Sequence, residues 1–205
     1  VPNGLENSMF QLGKIMLLSL VSGFGTASIA ANAVGNTLAT FMVLPGMALG
    51  FAVITVVSRC IGAGDYEQAR YFTRKLLKIT YLSMLVTNIL VVVTMPVIVK
   101  LYNLSAAASA IAKQIILSHG IAAVLIWPLA FTLPNTLRAA NDVKFSMVVS
   151  ILSMWVFRIG FGYLLAKFLG MGVMGVWIAM YIDWAVRTVC FIFRYRSARW
   201  HRFLL

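Results

Sequence analysis

The chain has 205 residues, of which 61% are hydrophobic and 11% are charged, and its formal net charge is +12. A soluble domain carries about 25% charged residues, so this composition excludes an ordinary soluble domain and indicates a membrane protein. In so apolar a chain the basic residues are expected at the membrane faces, in contact with lipid headgroups, and no nucleic-acid partner is predicted.

Apolar runs and the residues that interrupt them predict an all-α fold with six membrane-spanning helices. The stretches 15–58, 79–99 and 114–137 contain no Asp, Glu, Lys or Arg, and about 20 apolar residues suffice to cross a bilayer. The predicted spans are 3–24, 29–58, 77–101, 109–137, 145–168 and 171–193. Turns are predicted at Gly23–Thr26, Asn103–Ser105, 138–142 and Gly170–Gly172.

Basic residues cluster on one side of these spans. The side that both termini share carries Arg59, Arg70, Arg74, Lys75, Lys78, Arg138, Lys144, Arg194, Arg196, Arg199 and Arg202, whereas the other carries Lys100 and Lys167. The positive-inside rule therefore predicts a multi-pass protein of the plasma membrane with both termini cytoplasmic. The chain starts with Val-Pro and enters an apolar helix almost at once, so we expect it to be a piece of a longer polypeptide.

In span one, charged and amide side chains lie directly before an apolar run. Asn7, Gln11 and Lys14 are spaced i, i+4, i+7 and share one helical stripe, with Glu6 beside it. A charge at mid-bilayer costs about 2.5 to 3.5 kcal/mol, so Glu6 is either a proton or cation site or an interfacial, structural carboxylate. Lys14 is expected to neutralise a carboxylate or to face an aqueous cavity.

Span two and the segment after it carry two further patterns. Asn32 and Asn36 are spaced i, i+4 among small residues, which favours close helix packing, with substrate contact as the alternative. In the segment GAGDYEQARYFTRKLLK, Asp65 stands three residues before Gln68, which predicts a capped helix start. Its basic and aromatic residues predict an amphipathic interfacial helix over 65–76 that turns into span three, as either a topology-setting loop or a coupling element.

The last three spans hold the remaining candidates. His119 in span four has no other His, Cys or carboxylate at ligand spacing, so no metal site is predicted. Arg158 in span five and the i, i+4 pair Asp183 and Arg187 in span six predict a structural ion pair, with a titrating relay as the alternative. The sequence shows no catalytic triad order, phosphate-binding loop or paired catalytic carboxylates, so neither an enzyme activity nor a cofactor is predicted.

Three stretches of the sequence resemble the multidrug and toxic compound extrusion (MATE) transporters: PNGLENSMFQLGK, AANAVGNTLATFMVLPGMALGFAVITVVSRCIGAGDYEQAR and LPNTLRAANDVKF. The resemblance extends over essentially all of residues 1–205. Members of that family have two six-helix bundles, so the resemblance implies that this chain is the second bundle, helices seven to twelve. Its partner would be the N-terminal six-helix half of the same polypeptide, and its surroundings would be membrane lipids.

The resemblance also implies a function and a set of site residues. Transporters of this family are antiporters in which H⁺ or Na⁺ enters while organic, often cationic, drugs leave, and Glu6 resembles the acidic residue that many members carry in helix seven. The sodium-coupled branch places an aspartate near the position of Trp127, where this chain has no carboxylate. Residues predicted to line a cavity for small organic substrates are Asn7, Gln11, Asn32, Asn36, Trp127 and Asn135.

Two other functions fit the same helical plan. A flippase of a lipid-linked oligosaccharide would be favoured by a cavity lined mainly by Arg and Lys. A membrane scaffold that transports nothing would use its buried charges only to fix helix packing.

Overall fold

A computed structural model describes residues 2–197 of the chain, except for the side chains of Pro2, Asn3, Leu5 and Glu6, so Arg199 and Arg202 lie outside the described residues. The helices are α1 (Pro2–Ser22), α2 (Thr26–Gly62), α3 (Tyr66–Leu101), α4 (Ala106–Leu125), α5 (Pro134–Ala139), α6 (Val143–Ser153), α7 (Phe161–Tyr163) and α8 (Gly172–Arg196). Three π-helical segments, Pro128–Thr132, Met154–Gly160 and Leu164–Phe168, join the shorter helices. The predicted all-α bundle is confirmed.

Five stretches within the described residues are long and apolar enough to cross a membrane: Thr26–Gly62, Tyr66–Leu101, Ala106–Leu125, Val143–Phe168 and Gly172–Arg196. Helix α1 has 21 residues and adds one more long helix to these five stretches. It is not among those five stretches, and it carries the polar residues Glu6, Asn7, Gln11 and Lys14. The protein is therefore a multi-pass membrane protein built as a bundle of about six helices.

Residues in the left-handed backbone region lie in the predicted turns between the long helices. Asn103 has φ 48° just after α3, and Asn141 has φ 62° between α5 and α6. Gly25 has φ 86° just before α2, and Gly170 has φ 67° just before α8. Asparagine and glycine tolerate this conformation better than other residues, so the sequence itself marks where the chain reverses.

Helix α3 begins as predicted but does not turn where a turn was expected. The Oδ1 atom of Asp65 accepts a hydrogen bond of 2.9 Å from the backbone N–H of Gln68, which is the predicted N-cap. The helix then continues from Tyr66 to Leu101 without a break, so the expected separation between an interfacial helix over 65–76 and span three is wrong. Helix α3 contains no glycine, and its one proline is Pro96. No helix-breaking residue therefore stands near residue 76.

The π-helical segments interrupt spans four and five. In span four the segment Pro128–Thr132 begins at one proline, and α5 begins at another, Pro134. Proline has no backbone N–H to donate, so the carbonyl groups around it must find other partners, and a wider helical turn is one solution. The sequence analysis did not predict this π-helical geometry.

Glycine sets the distance between α8 and span five. A Cβ atom added at Gly175 would lie 2.6 Å from the backbone nitrogen of Ala166 and 2.7 Å from the carbonyl carbon of Leu165. These are backbone atoms, which cannot move aside as the end of a side chain can. The close packing of α8 on the segment Leu164–Phe168 therefore requires glycine at this position.

We predict that Gly175→Ala destabilises the bundle by about 1 to 3 kcal/mol, because the added methyl group forces two helices apart. The measurement is thermal unfolding of the purified full-length protein in detergent. Gly62→Ala is the matched control, since a Cβ atom there meets nothing within 4 Å. If both variants unfold at the wild-type temperature, the close contact at Gly175 does not limit stability.

Candidate functional site

A cavity of about 600 Å³ lies among α1, α2, α8 and the two irregular spans. Helix α1 contributes Asn7, Phe10, Gln11 and Lys14, and α2 contributes a long strip from Asn36 to Ile54. The remaining wall comes from His119 of α4, from residues between Trp127 and Arg138, from Ser150 and Arg158, and from α8. Every long element except α3 thus reaches the cavity.

Most of the predicted cavity residues line this space, namely Asn7, Gln11, Asn36, Trp127 and Asn135. Asn32 does not. Its side chain is buried, and its Oδ1 atom accepts a hydrogen bond of 3.1 Å from the indole Nε1 of Trp177. Since Trp177 itself lines the cavity, Asn32 supports the wall from behind, which agrees with the favoured packing interpretation and not with substrate contact.

Two glycines on α2 make room for two of these side chains. A Cβ atom at Gly46 would overlap the ring of Trp127, and one at Gly50 would lie 2.7 Å from Nδ2 of Asn135. Gly46 and Gly50 are spaced i, i+4, so together they form a groove along one face of α2. Asn135 is further fixed by Arg138, whose Nη1 donates to its Oδ1 at 3.0 Å.

Aromatic rings form a continuous part of the wall. Trp127 stacks on Phe131 with 5.0 Å between ring centroids, and Phe131 meets Trp184 edge to face at 5.7 Å. The ring of His119 lies 5.4 Å from that of Trp184 and 5.5 Å from that of Trp177. This apolar surface suits the flat body of an organic molecule.

A buried ion pair lies next to these aromatic rings. The Nε atom of Arg187 is 2.8 Å from Oδ1 of Asp183, and both side chains are at most 1% exposed. The same carboxylate oxygen accepts a hydrogen bond from the hydroxyl of Ser153, and the Nη2 atom of Arg187 donates to the carbonyl of Ser150 at 3.0 Å. Helix α8 is thereby tied to α6 by charge-assisted hydrogen bonds.

The guanidinium of Arg187 also packs on aromatic rings. Its central carbon is 4.8 Å from the ring centroid of Phe10 on α1 and 5.4 Å from that of Phe131. Cation–π contacts at these distances are attractive. One side chain therefore connects α1, α6 and α8 with the π-helical segment of span four.

Arg158 does not form the ion pair that was expected for it. Among the described residues the ion pairs are Asp183 with Arg187 and Asp142 with Arg194, and the Nη2 atom of Arg158 donates to the sulfur of Met180 at 3.1 Å. Its Nε atom is buried without a hydrogen-bond partner. The guanidinium of Arg158 lies on the cavity wall instead.

The charge of the described wall is basic. Lys14, Arg138, Arg158 and Arg187 all line the cavity, and no described carboxylate does. Lys14, expected to neutralise a carboxylate or to face a cavity, is exposed on the cavity wall, and Arg187 pairs with Asp183. The convergence of these four basic side chains was not predicted. They come from α1, α5, the segment Met154–Gly160 and α8, so only the tertiary fold brings them together.

The chain has five carboxylate side chains, and four can be placed. Asp65 caps α3, Glu67 is exposed in its first turn, Asp142 pairs with Arg194, and Asp183 pairs with Arg187. Glu6 lies in the first turns of α1, and its side chain is outside the described residues. Residues 2–197 contain no group of three or more His, Cys, Asp or Glu side chains that could hold a metal ion.

Comparison with known proteins identifies the fold and its relatives. The family model MatE matches residues 2–164. The probable multidrug resistance protein YoeA of Bacillus subtilis is 24% identical over 98% of this chain, and the probable multidrug resistance protein NorM of Halalkalibacterium halodurans is 28% identical over 78% of it. The chain covers 43% and 35% of those relatives, so it spans less than half of their length.

A solved structure with the same fold is the outward-facing conformation of a multidrug resistance MATE family transporter of the MOP superfamily. It matches 98% of this chain with a TM-score of 0.85 at 17% sequence identity, and the chain covers 46% of it. At that identity the likeness shows the fold alone. It agrees with the resemblance read from the sequence.

We predict that Asp183→Ala destabilises the protein by about 3 to 5 kcal/mol, because it leaves the buried Arg187 guanidinium without its counter-charge. The double variant Asp183→Leu with Arg187→Met is expected to recover most of that loss, since it removes both charges. Thermal unfolding of the full-length protein in detergent measures both effects. A double variant less stable than the single one would show that Arg187 stabilises the bundle through its other contacts.

Proposed function

Because the chain belongs to the MatE family, we propose that it is the C-terminal half of a cation-coupled antiporter that exports organic compounds across the plasma membrane. The observation that carries this proposal is the cavity of about 600 Å³, which combines stacked aromatic rings with amide side chains inside a bundle of membrane-spanning helices. Pockets of about 300 to 1,000 Å³ accommodate drug-sized ligands. A preceding six-helix bundle of the same polypeptide would close the cavity from the other side.

Coupling needs a carboxylate that a cation and a substrate can compete for. Glu6 is our candidate because it lies in α1, one residue before the cavity-lining Asn7. Asp183 is the second choice, since its carboxylate is held by Arg187 and Ser153 and is therefore less available to a cation. An inward proton or sodium ion would gain about 2.3 kcal/mol per 100 mV of membrane potential.

The exposed surface and the basic residues support the proposed membrane setting. Large apolar side chains such as Leu82, Val93 and Phe193 are exposed on the outside of the bundle, as expected for contact with lipid. The basic residues between Arg59 and Lys78 surround the turn from α2 to α3. We propose that this turn and both termini lie on the cytoplasmic side.

One observation favours a second function. The basic wall formed by Lys14, Arg138, Arg158 and Arg187 is the feature that a flippase of a lipid-linked oligosaccharide would require. Such a substrate carries its phosphates in the transported headgroup. The flippase therefore remains the alternative function within transport.

Glu6→Gln tests the antiporter. With Glu6 in the coupling step, the variant is expected to lose dye efflux driven by an imposed proton or sodium gradient while retaining dye binding, because the amide cannot take up the cation. The measurement is efflux of fluorescent dyes from vesicles containing the full-length protein at matched levels. Glu67→Gln, an exposed carboxylate away from the cavity, is the control. Wild-type efflux by Glu6→Gln would exclude Glu6 as the coupling site and direct the search to Asp183 and the preceding bundle.

A further inference from the structure

We propose that the wall formed by α1 and the segment Met154–Gly160 binds an anionic group of the transported compound, with Lys14 and Arg158 as its cationic partners. The substrate class is then an organic anion with an apolar or aromatic body. This inference rests on the proposed function, since it assigns a charge to the compound that the protein would transport.

The placement of the two cations follows from a close helix contact. A Cβ atom at Gly13 would lie 2.4 Å from Cε of Met154 and 3.1 Å from Cδ1 of Ile159. Lys14 directly follows Gly13, and Arg158 directly precedes Ile159, so the backbones of both residues lie beside the point where α1 touches the π-helical segment. Both line the cavity beside this contact.

Neither cation belongs to an ion pair among the described residues. Arg158 uses one nitrogen on the sulfur of Met180, which is a weak acceptor, and its buried Nε has no partner. Lys14 is exposed to the cavity and belongs to none of the described ion pairs. Two positive charges on the wall of one cavity repel each other, and a bound anion offsets that repulsion.

The surroundings of the two cations complete a site for an amphiphile. The amides of Gln11 and Asn36 line the same cavity and offer hydrogen-bond donors to a carboxylate, sulfonate or phosphate. The stacked rings of Trp127 and Phe131 offer a surface for the apolar body. An anionic head and an aromatic body thus each find a matching part of the wall.

An organic cation fits the described wall less well. Aromatic faces attract cations in general, but the guanidinium of Arg187 already lies over the rings of Phe10 and Phe131 at 4.8 and 5.4 Å. These two ring faces are therefore already occupied by a cation, and the Arg158 guanidinium on the same cavity wall would repel a second one. The positive charge of the wall therefore selects against it.

Two dyes with the same ring system and opposite charge test the inference. Carboxyfluorescein is anionic and tetramethylrhodamine methyl ester is cationic, and both are built on a xanthene. Binding of each to the purified full-length protein is measured by fluorescence anisotropy, without any ion gradient. We expect carboxyfluorescein to bind more tightly than the rhodamine ester.

The variants assign that binding to the two cations. Lys14→Gln and Arg158→Gln are each expected to weaken carboxyfluorescein binding roughly tenfold or more, as loss of a charge-assisted hydrogen bond implies. Arg158→Lys should retain more affinity than Arg158→Gln, and binding of the rhodamine ester should stay the same or become stronger. Lys113→Gln, an exposed lysine of α4 outside the cavity, is the matched control.

Competition identifies the source of the anion. Displacement of carboxyfluorescein by short-chain phosphatidylglycerol indicates a lipid headgroup, and displacement by benzoate indicates a water-soluble organic anion. Either result supports an anion site. Lys14→Gln changes an exposed side chain and is expected to fold, so it keeps the test decisive if Arg158→Gln does not fold.

The inference is overturned if the rhodamine ester binds more tightly than carboxyfluorescein, or if Lys14→Gln binds carboxyfluorescein as the wild type does. Failure of the proposed function gives a different result. In that case carboxyfluorescein binds and depends on Lys14, but neither dye is exported when a gradient is imposed.

Discussion

The buried pair of Asp183 and Arg187 is the interaction on which the cavity depends. An arginine inside a membrane bundle is stabilised when its charge and its hydrogen-bond donors are satisfied within the protein. Asp183 takes up the charge, the carbonyl of Ser150 accepts a further hydrogen bond, and two aromatic rings cover the guanidinium. These partners belong to different helices. The charge and the hydrogen-bond donors of Arg187 are therefore satisfied only where α1, α6 and α8 meet around the cavity.

Local sequence signals predicted the architecture well. Apolar runs of spanning length, glycine and asparagine at the turns, and the Asp65 cap of α3 all depend on neighbours within a few residues, and the structure contains each of them. The contact of Asp183 with Arg187 belongs to this group as well, since an i, i+4 spacing on a helix is a local relation. Such features can be read without knowing how the helices pack.

Features that depend on packing could not be predicted in the same way. Asn32 and Asn36 look equivalent in sequence, yet Asn32 lies under Trp177 of α8 while Asn36 lines the cavity. Arg158 was placed with Asp183 because their spans are neighbours, but the side chain points to Met180 and the cavity. The basic wall is assembled from four elements far apart in the chain, and no local pattern marks it.

The unbroken helix α3 has a consequence for how the protein is seated in its membrane. Its 36 residues measure about 54 Å, whereas the hydrocarbon core of a bilayer is about 30 Å thick. The charge-free stretch 79–99 matches that thickness, so the basic first part of the helix extends into the headgroup layer and beyond it. The tilt of α3, and with it the position of α2 on which it packs, is therefore sensitive to bilayer thickness and to the density of anionic lipid at one face.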